Sequence, residues 1–361
     1  MISATGIVKK FRQRGNTLGG RDVLALRGVD LTIPPGGAVS LIGESGCGKT
    51  TLGRILAGLE TYDQGEIALN GTAMSSLSRR ARDREFRKTQ LIHQDPYTAL
   101  NSTRTVHQAL HDPLRMHAKR TGKPMSWTYD RAEEVLGLVG LDPAYVLPRY
   151  PHQLSGGMRQ RVVIARALTV EPQMLIADEA VSMIDVSLRL GVLSLLRDLR
   201  ERLGVSVLYI THDVATARYI GADSVIAVIY RGQVIEQGPT ETVIAEPVHP
   251  YTQSLLSAIP VLHGVEVPGE ERVVPLATGA VDAEDAQQSE QSEDTRNAAE
   301  AGAHQVGRSG SCLFVDRCPF ADQTCRDAFP ELGKASAEWQ QDGRVHACFH
   351  PARRQVAARS A

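Results

Sequence analysis

Gly43-Glu44-Ser45-Gly46-Cys47-Gly48-Lys49-Thr50 follows directly on the apolar run Ala38-Val39-Ser40-Leu41-Ile42. The order is that of a strand, a glycine-rich turn and a helix. Gly43, Gly46 and Gly48 place no Cβ in the way of a sharp bend, so successive N–H groups can face inward onto an anion. Lys49 adds a compact positive charge suited to β- and γ-phosphates, and Thr50 a hydroxyl suited to Mg²⁺. The helix expected from Thr50, running through Thr51 and Leu52 to Ala57 and ending near Gly58, aims the positive end of its dipole at the same point. A nucleoside triphosphate is the implied ligand, and Gly43 to Thr51 its candidate site.

Downstream, Gln90-Leu91-Ile92 reads as a strand leading to Gln94, whose side-chain amide is placed to reach a metal ion or an attacking water. Leu154-Ser155-Gly156-Gly157-Met158 opens the helical pattern Val162 to Leu168, where a hydroxyl and free N–H groups converge at a helix start. Gln173-Met174-Leu175-Ile176-Ala177-Asp178-Glu179 is an apolar strand that finishes in two carboxylates. Asp178 is expected to order a Mg²⁺ shell, and Glu179 to polarise a water for attack on a γ-phosphate. Leu188, Val192, Leu195, Leu196, Leu199 and Leu203 form an apolar stripe on a helix stopped by Gly204. The strand Val205 to Ile210 then delivers His212. Strands alternating with helices predict an α/β fold with a mostly parallel sheet, whose ligands sit beyond the carboxyl ends of the strands.

Before the loop, Ile7 to Arg12, Val23 to Leu26 and Val29 to Ile33 are short β-rich runs, as is Gly65 to Gly71 after the first helix, so an antiparallel β layer is expected against the nucleotide core. Phe11 is the aromatic of this layer suited to stacking on adenine. Five arginines between Leu77 and Lys88 read as a solvated helix face. From about residue 95 to 168 the pattern is helical, with Ser126 a candidate cap for the segment reaching Leu138.

With 361 residues, 42% of them hydrophobic, the chain can bury one large core or two smaller ones. Its formal net charge of -1 supplies no broad attraction to nucleic acid, and no nucleic-acid partner is expected. No window approaches the roughly 18 to 20 apolar residues that span a bilayer, and Met1-Ile2-Ser3 does not open a signal peptide.

In this order the motifs resemble the ATP-binding subunit of an ATP-binding-cassette transporter, a P-loop NTPase core with a helical subdomain. The resemblance covers about residues 1–260 and rests on Gly43 to Thr50, Gln94, Leu154 to Met158, Asp178-Glu179, Asp185 and His212. It implies that ATP is hydrolysed with Mg²⁺ held by Thr50, Gln94 and Asp178. It also implies that Glu179, His212 and Gln94 are catalytic, and that Leu154, Ser155, Gly156, Gly157 and Met158 act on the ATP of a second ATPase subunit, a paralogue or another copy. Gln94-Asp95-Pro96-Tyr97-Thr98-Ala99-Leu100-Asn101 and His249-Pro250-Tyr251-Thr252-Gln253-Ser254-Leu255-Leu256 are similar to the oligopeptide and dipeptide importer ATPases. Two permease subunits and a solute-binding protein are the partners this implies, with the chain peripheral on the cytoplasmic face of the cell membrane. Nickel or oligosaccharide import is the nearest alternative, and a soluble cassette ATPase of translation or DNA repair the alternative from another class. Ala180-Val181-Ser182-Met183-Ile184 departs from the family's usual wording before Asp185, which bears on communication between subunits.

From about residue 261 to 308 the chain is rich in Glu, Asp, Gln, Ala and Ser and is expected to be a flexible acidic linker. Residues 309–361 carry Cys312, Cys318, Cys325 and Cys348, a small C-terminal cysteine-rich extension. In the importer group this tail resembles the extension associated with a [4Fe–4S] cluster. Four thiolates are what such a cluster or a structural Zn²⁺ requires; the cluster is the expected group and zinc the alternative.

Overall fold

The computed structural model describes residues 1–13, 21–221, 223–257, 310–333 and 343–351. The expected acidic linker, residues 261–308, lies wholly outside the described residues. In chain order the strands and helices begin with β1 (Ile2–Gln13), β2 (Arg21–Ile33), β3 (Ala38–Ile42), α1 (Lys49–Leu56), β4 (Gln64–Leu69), β5 (Thr72–Ala73), α2 (Arg79–Phe86) and β6 (Thr89–Ile92). There follow α3 (Pro96–Ala99), α4 (Val106–Thr121), α5 (Ser126–Leu138), α6 (Pro143–Val146), α7 (Gly156–Leu168), β7 (Met174–Asp178), α8 (Val186–Leu203) and β8 (Ser206–Thr211). The last are α9 (Val214–Ala217), β9 (Val225–Tyr230), β10 (Gln233–Pro239), α10 (Thr240–Ala245), α11 (Pro250–Ser257), α12 (Gln323–Asp327) and β11 (Val345–His346).

Two sheets organise these elements. The larger has the order β11-β10-β9-β3-β8-β7-β6. Its strands β6, β7, β8, β3 and β9 run parallel, while β10 and β11 add antiparallel edges. Every residue of β3, β7 and β8 is buried, as expected of strands covered on both faces. The smaller sheet, β2-β1-β4-β5, is antiparallel.

Between the two sheets lies α1, whose Leu52, Ile55 and Leu56 are at most 1% exposed and pack on Leu41, Ile176 and Ile210. Burying each such side chain is worth about 1.5–3 kcal/mol, which fixes the helix beneath the loop that precedes it. The opposite face of the parallel sheet is covered by α4, α5, α7 and α8 around Leu110, Val135, Ile164 and Leu196. A third cluster joins Ile42, Tyr230 and Tyr251 to Phe314 from the cysteine-rich extension.

The structure corrects several local expectations. The runs Val23 to Leu26 and Val29 to Ile33 are one strand, β2, carried through Gly28 at φ 80. Irregular register with β1 absorbs the break. Ser126 is the first residue of α5 rather than its cap; Met125 holds that position and gives no side-chain hydrogen bond. In the α8 stripe, Leu188 and Leu203, near its two ends, are 43% and 40% exposed rather than buried. The arginine-rich helix α2 has no buried residue, as a solvated face requires.

Candidate functional site

The parallel strands bring four loops to one edge of the sheet. β3 delivers residues 43–48, β6 delivers Gln94, β7 ends on Asp178 and β8 is followed by His212. The first loop has no room for side chains at two of its glycines. A Cβ on Gly43 would collide with the carbonyl oxygen of Ile229, and one on Gly48, at φ +105, would lie 2.6 Å from the Ala25 carbonyl oxygen. The backbone is therefore held close to β9 and β2.

Lys49 is only 5% exposed, and its Nζ donates to the carbonyl oxygens of Gly43 at 2.8 Å and Glu44 at 2.9 Å. Folded back over the loop, it adds its charge to the concave side. Cys47 beneath it is buried, and burial pushes its thiol up despite the neighbouring ammonium. On the next turn Thr50 Oγ1 donates to Asp178 Oδ1 at 3.1 Å, tying α1 to the end of β7. Burial raises the Asp178 carboxyl above the usual range, and the Thr50 hydrogen bond opposes that rise. A cation beside it would relieve the cost of ionising it.

Glu179 departs from the strand. Its φ is 46, in the left-handed region that a non-glycine residue adopts only when its surroundings hold it. Here its N–H donates to the Ile210 carbonyl oxygen at 2.9 Å, while its own carbonyl accepts from the Ser182 N–H at 3.0 Å and hydroxyl at 2.9 Å. The twist turns the side chain toward two polar partners. Gln94 Nε2 donates to Glu179 Oε2 at 3.1 Å, and His212 Nδ1 stands 3.2 Å from Glu179 Oε1. A carboxylate so held, beside a phosphate-type loop, has the position to accept a proton from water.

Other predicted residues stand apart from this cluster. Ser155 caps α7, its Oγ accepting from the Met158 N–H at 3.3 Å, with Leu154 buried beneath and Leu188 Cδ1 3.1 Å from the site of a Cβ on Gly157. Among the described residues no hydrogen bond joins Leu154–Met158 to residues 43–51 or to Asp178 and Glu179. Asp185 is exposed at the start of α8 and makes no side-chain cap. Phe11 is 40% exposed on β1, with Lys9 Nζ 4.9 Å from its ring centre.

The extension folds against the same body. β11 pairs with β10, Gln233 donates to the Pro330 carbonyl oxygen at 3.1 Å, and Phe314 fills the third core cluster. The Cys312 N–H donates to the Cys325 carbonyl oxygen at 2.8 Å. Burial and mutual repulsion raise the thiols of Cys312 and Cys318, and Cys348 is pushed up to about 12 by burial and by the three other cysteines. The ligand atoms of Cys325, Asp322 and His350 also lie within 4.8 Å of one another.

Sequence reasoning gave Tyr251 no role at the loop. Its hydroxyl accepts the Glu44 N–H at 3.0 Å, and it is set there by a chain of buried hydrogen bonds. Glu236 accepts the N–H groups of Val248 and His249 at 2.8 and 2.9 Å, and His249 Nδ1 accepts the Tyr251 N–H at 3.0 Å. Only the His249-Pro250-Tyr251 wording of the importer resemblance marked this stretch, without saying what it touches.

A glycine loop over a helix start, with a carboxylate pair at a neighbouring strand end, defines a nucleoside-triphosphatase cassette. The ABC transporter family model matches residues 26–182, and the model of the oligopeptide/dipeptide transporter C-terminal region matches residues 235–285. The chain is 35% identical over 354 residues to the dipeptide transport ATP-binding protein DppF of Haemophilus influenzae, covering 97% of this chain and 96% of that one. It is 41% identical over 267 residues to the glutathione import ATP-binding protein GsiA of Salmonella paratyphi A, covering 72% of this chain and 41% of that longer one. Among solved structures, the ATP-binding cassette MJ0796 in a dimeric post-hydrolysis state with ADP and Pi matches with a TM-score of 0.57 at 28% identity, covering 66% of this chain and 99% of that chain. The chain belongs to the ABC transporter ATP-binding family, in its oligopeptide/dipeptide branch.

Proposed function

We propose that the chain hydrolyses ATP to drive uptake of peptides or similar small oligomers through separate membrane subunits. The observation that carries this reading is the hydrogen-bonded group Gln94–Glu179–His212 beside the Thr50–Asp178 pair, at the mouth of the glycine loop. Residues 43–51 bind the triphosphate, with Phe11 under the adenine. Thr50, Asp178 and Gln94 would hold Mg²⁺, an all-oxygen set matched to that ion, which when bound neutralises charge on the phosphates. Glu179 takes the proton of a water as its oxygen bonds to the γ-phosphorus and the bond to ADP breaks. Gln94 and His212 keep the carboxylate aimed.

Ser155 and Gly157 lie apart from this group, which supports a second cassette, a paralogue or another copy, being needed to complete each site. Asp185 would lie along that junction. None of the described helices is long and apolar enough to cross a membrane. In the proposed system the chain would be a peripheral partner on the cytoplasmic face. Two permease subunits and a solute-binding protein complete the system. The wording of the relatives' names and the C-terminal family match favour peptides over nickel or oligosaccharides. The cassette proper would occupy about residues 1–260 and the cysteine-rich extension 309–361, joined by the acidic segment.

The reading of a thiolate-bound cluster is supported by four thiols in one small fold, all raised by burial and those of Cys312, Cys318 and Cys348 also by neighbouring cysteines, which need a cation to exist as thiolates. Cys312, Cys318, Cys325 and Cys348 would hold a [4Fe–4S] cluster, which supplies cross-linking and one-electron chemistry when bound. Iron and acid-labile sulfide in anaerobically purified protein support the cluster, whereas stoichiometric zinc replaces it. Uptake of labelled dipeptide into vesicles carrying the chain with its permeases tests the main reading. Uptake must require ATP and stop with Lys49→Met; uptake indifferent to that change rejects it.

A further inference from the structure

The turn between Cys312 and Cys318 carries Arg317, and this arginine reaches the phosphate loop. Its Nη1 lies 3.2 and 3.4 Å from the two carboxylate oxygens of Glu44, and its Nη2 3.3 Å from Oε1. Glu44 is the second residue of the loop, and its main chain is fixed separately by the Tyr251 hydroxyl. A carboxylate on the rim of a loop that gathers N–H dipoles and Lys49 around a polyanion works against that loop, unless its charge is offset.

The arginine is not a wandering surface side chain. Phe314, three residues before it, is 2% exposed and packs edge-on against Tyr230 at 5.4 Å and Tyr251 at 5.6 Å between ring centres. The guanidinium of Arg317 lies 5.6 Å from the Phe314 ring centre. Phe314 thus anchors the turn to the very tyrosine that holds the Glu44 N–H. The pair itself is about half exposed, at 47% and 45%, so it acts as a local charge correction rather than as a source of stability.

We infer that Arg317 is a positioning residue for nucleotide binding: by neutralising Glu44 it lets the loop present a net positive face to the triphosphate while the extension is docked. It acts through Glu44 and does not itself touch the nucleotide. The inference rests on the ATP-binding reading and adds to it a role for the extension.

The test is titration of the full chain with a fluorescent ATP analogue. If the unaltered chain binds none, the ATP reading itself falls. Arg317→Ala is expected to weaken binding about fivefold at roughly 50 mM salt and about twofold at roughly 0.5 M, because the exposed repulsion is screened. Arg317→Lys keeps affinity within about twofold, since the charge is retained. The decisive variant combines Arg317→Ala with Glu44→Gln: removing the carboxylate restores affinity to within about twofold of the unaltered chain. Should the double variant bind as weakly as Arg317→Ala alone, with no dependence on salt, Arg317 is a structural tie and the inference fails. Unchanged binding by Arg317→Ala overturns it as well.

Discussion

His249 makes the fold acid-sensitive at a point one hydrogen bond removed from the phosphate loop. Its ring is 2% exposed and its Nδ1 accepts the Tyr251 N–H, an arrangement open only to the neutral form. Burial, with a smaller contribution from His346, pushes it from 6.5 down to about 3. The unfolded chain therefore binds the proton more readily than the folded one between those values, and stability falls as pH falls through that window. At pH 5 the cost comes to about 2 kcal/mol, rising by about 1.4 kcal/mol for each further unit until the folded ring titrates.

Glu236, which faces the same pocket with Arg344, has the opposite sign. Burial raises its carboxyl, so its penalty is present at neutral pH and is relieved as pH falls. Comparison with His249→Asn separates the two, because an Asn oxygen still accepts the N–H two residues on but does not titrate. Urea unfolding at pH 8 and pH 5 should show the unaltered chain losing about 2 kcal/mol more than the variant. Equal losses would refute the assignment of a buried neutral His249.

Gly48→Ala is expected to abolish nucleotide binding and to lower the thermal midpoint. The backbone sits at φ +105 and the new methyl lies 2.6 Å from the Ala25 carbonyl oxygen, a strain on the order of 1–3 kcal/mol before the clash is counted. Lys49→Met keeps the volume but removes the charge over the loop. ATP affinity should fall by about 10- to 100-fold, as loss of a charge-assisted hydrogen bond implies, and calorimetric titration measures it.

The phosphate loop was legible because its signal is local: glycine positions, lysine and threonine all fall within residues 43–50 between a strand and a helix. The parallel order of the strands followed from alternation, and the common edge for Lys49, Asp178, Glu179 and His212 followed from that order. Less was visible where backbone conformation departs from its segment. Nothing in Asp178-Glu179 announces that the second carboxylate sits at φ 46, since that twist is set by Ile210 on a neighbouring strand. β2 was read as two runs because Gly28 interrupts the β pattern, and only pairing with β1 carries the strand through it. Contacts between Glu44 and Arg317, 273 positions apart, have no local trace at all.

ATP turnover and binding by Glu179→Gln test the central claim most directly. The Gln94 hydrogen bond can be kept while the proton acceptor is lost, so turnover should fall by about 10²- to 10⁴-fold with ATP affinity within about threefold of the unaltered chain. Turnover that survives the substitution would contradict the account, because the carboxylate beside Gln94 and His212 would then not be the base.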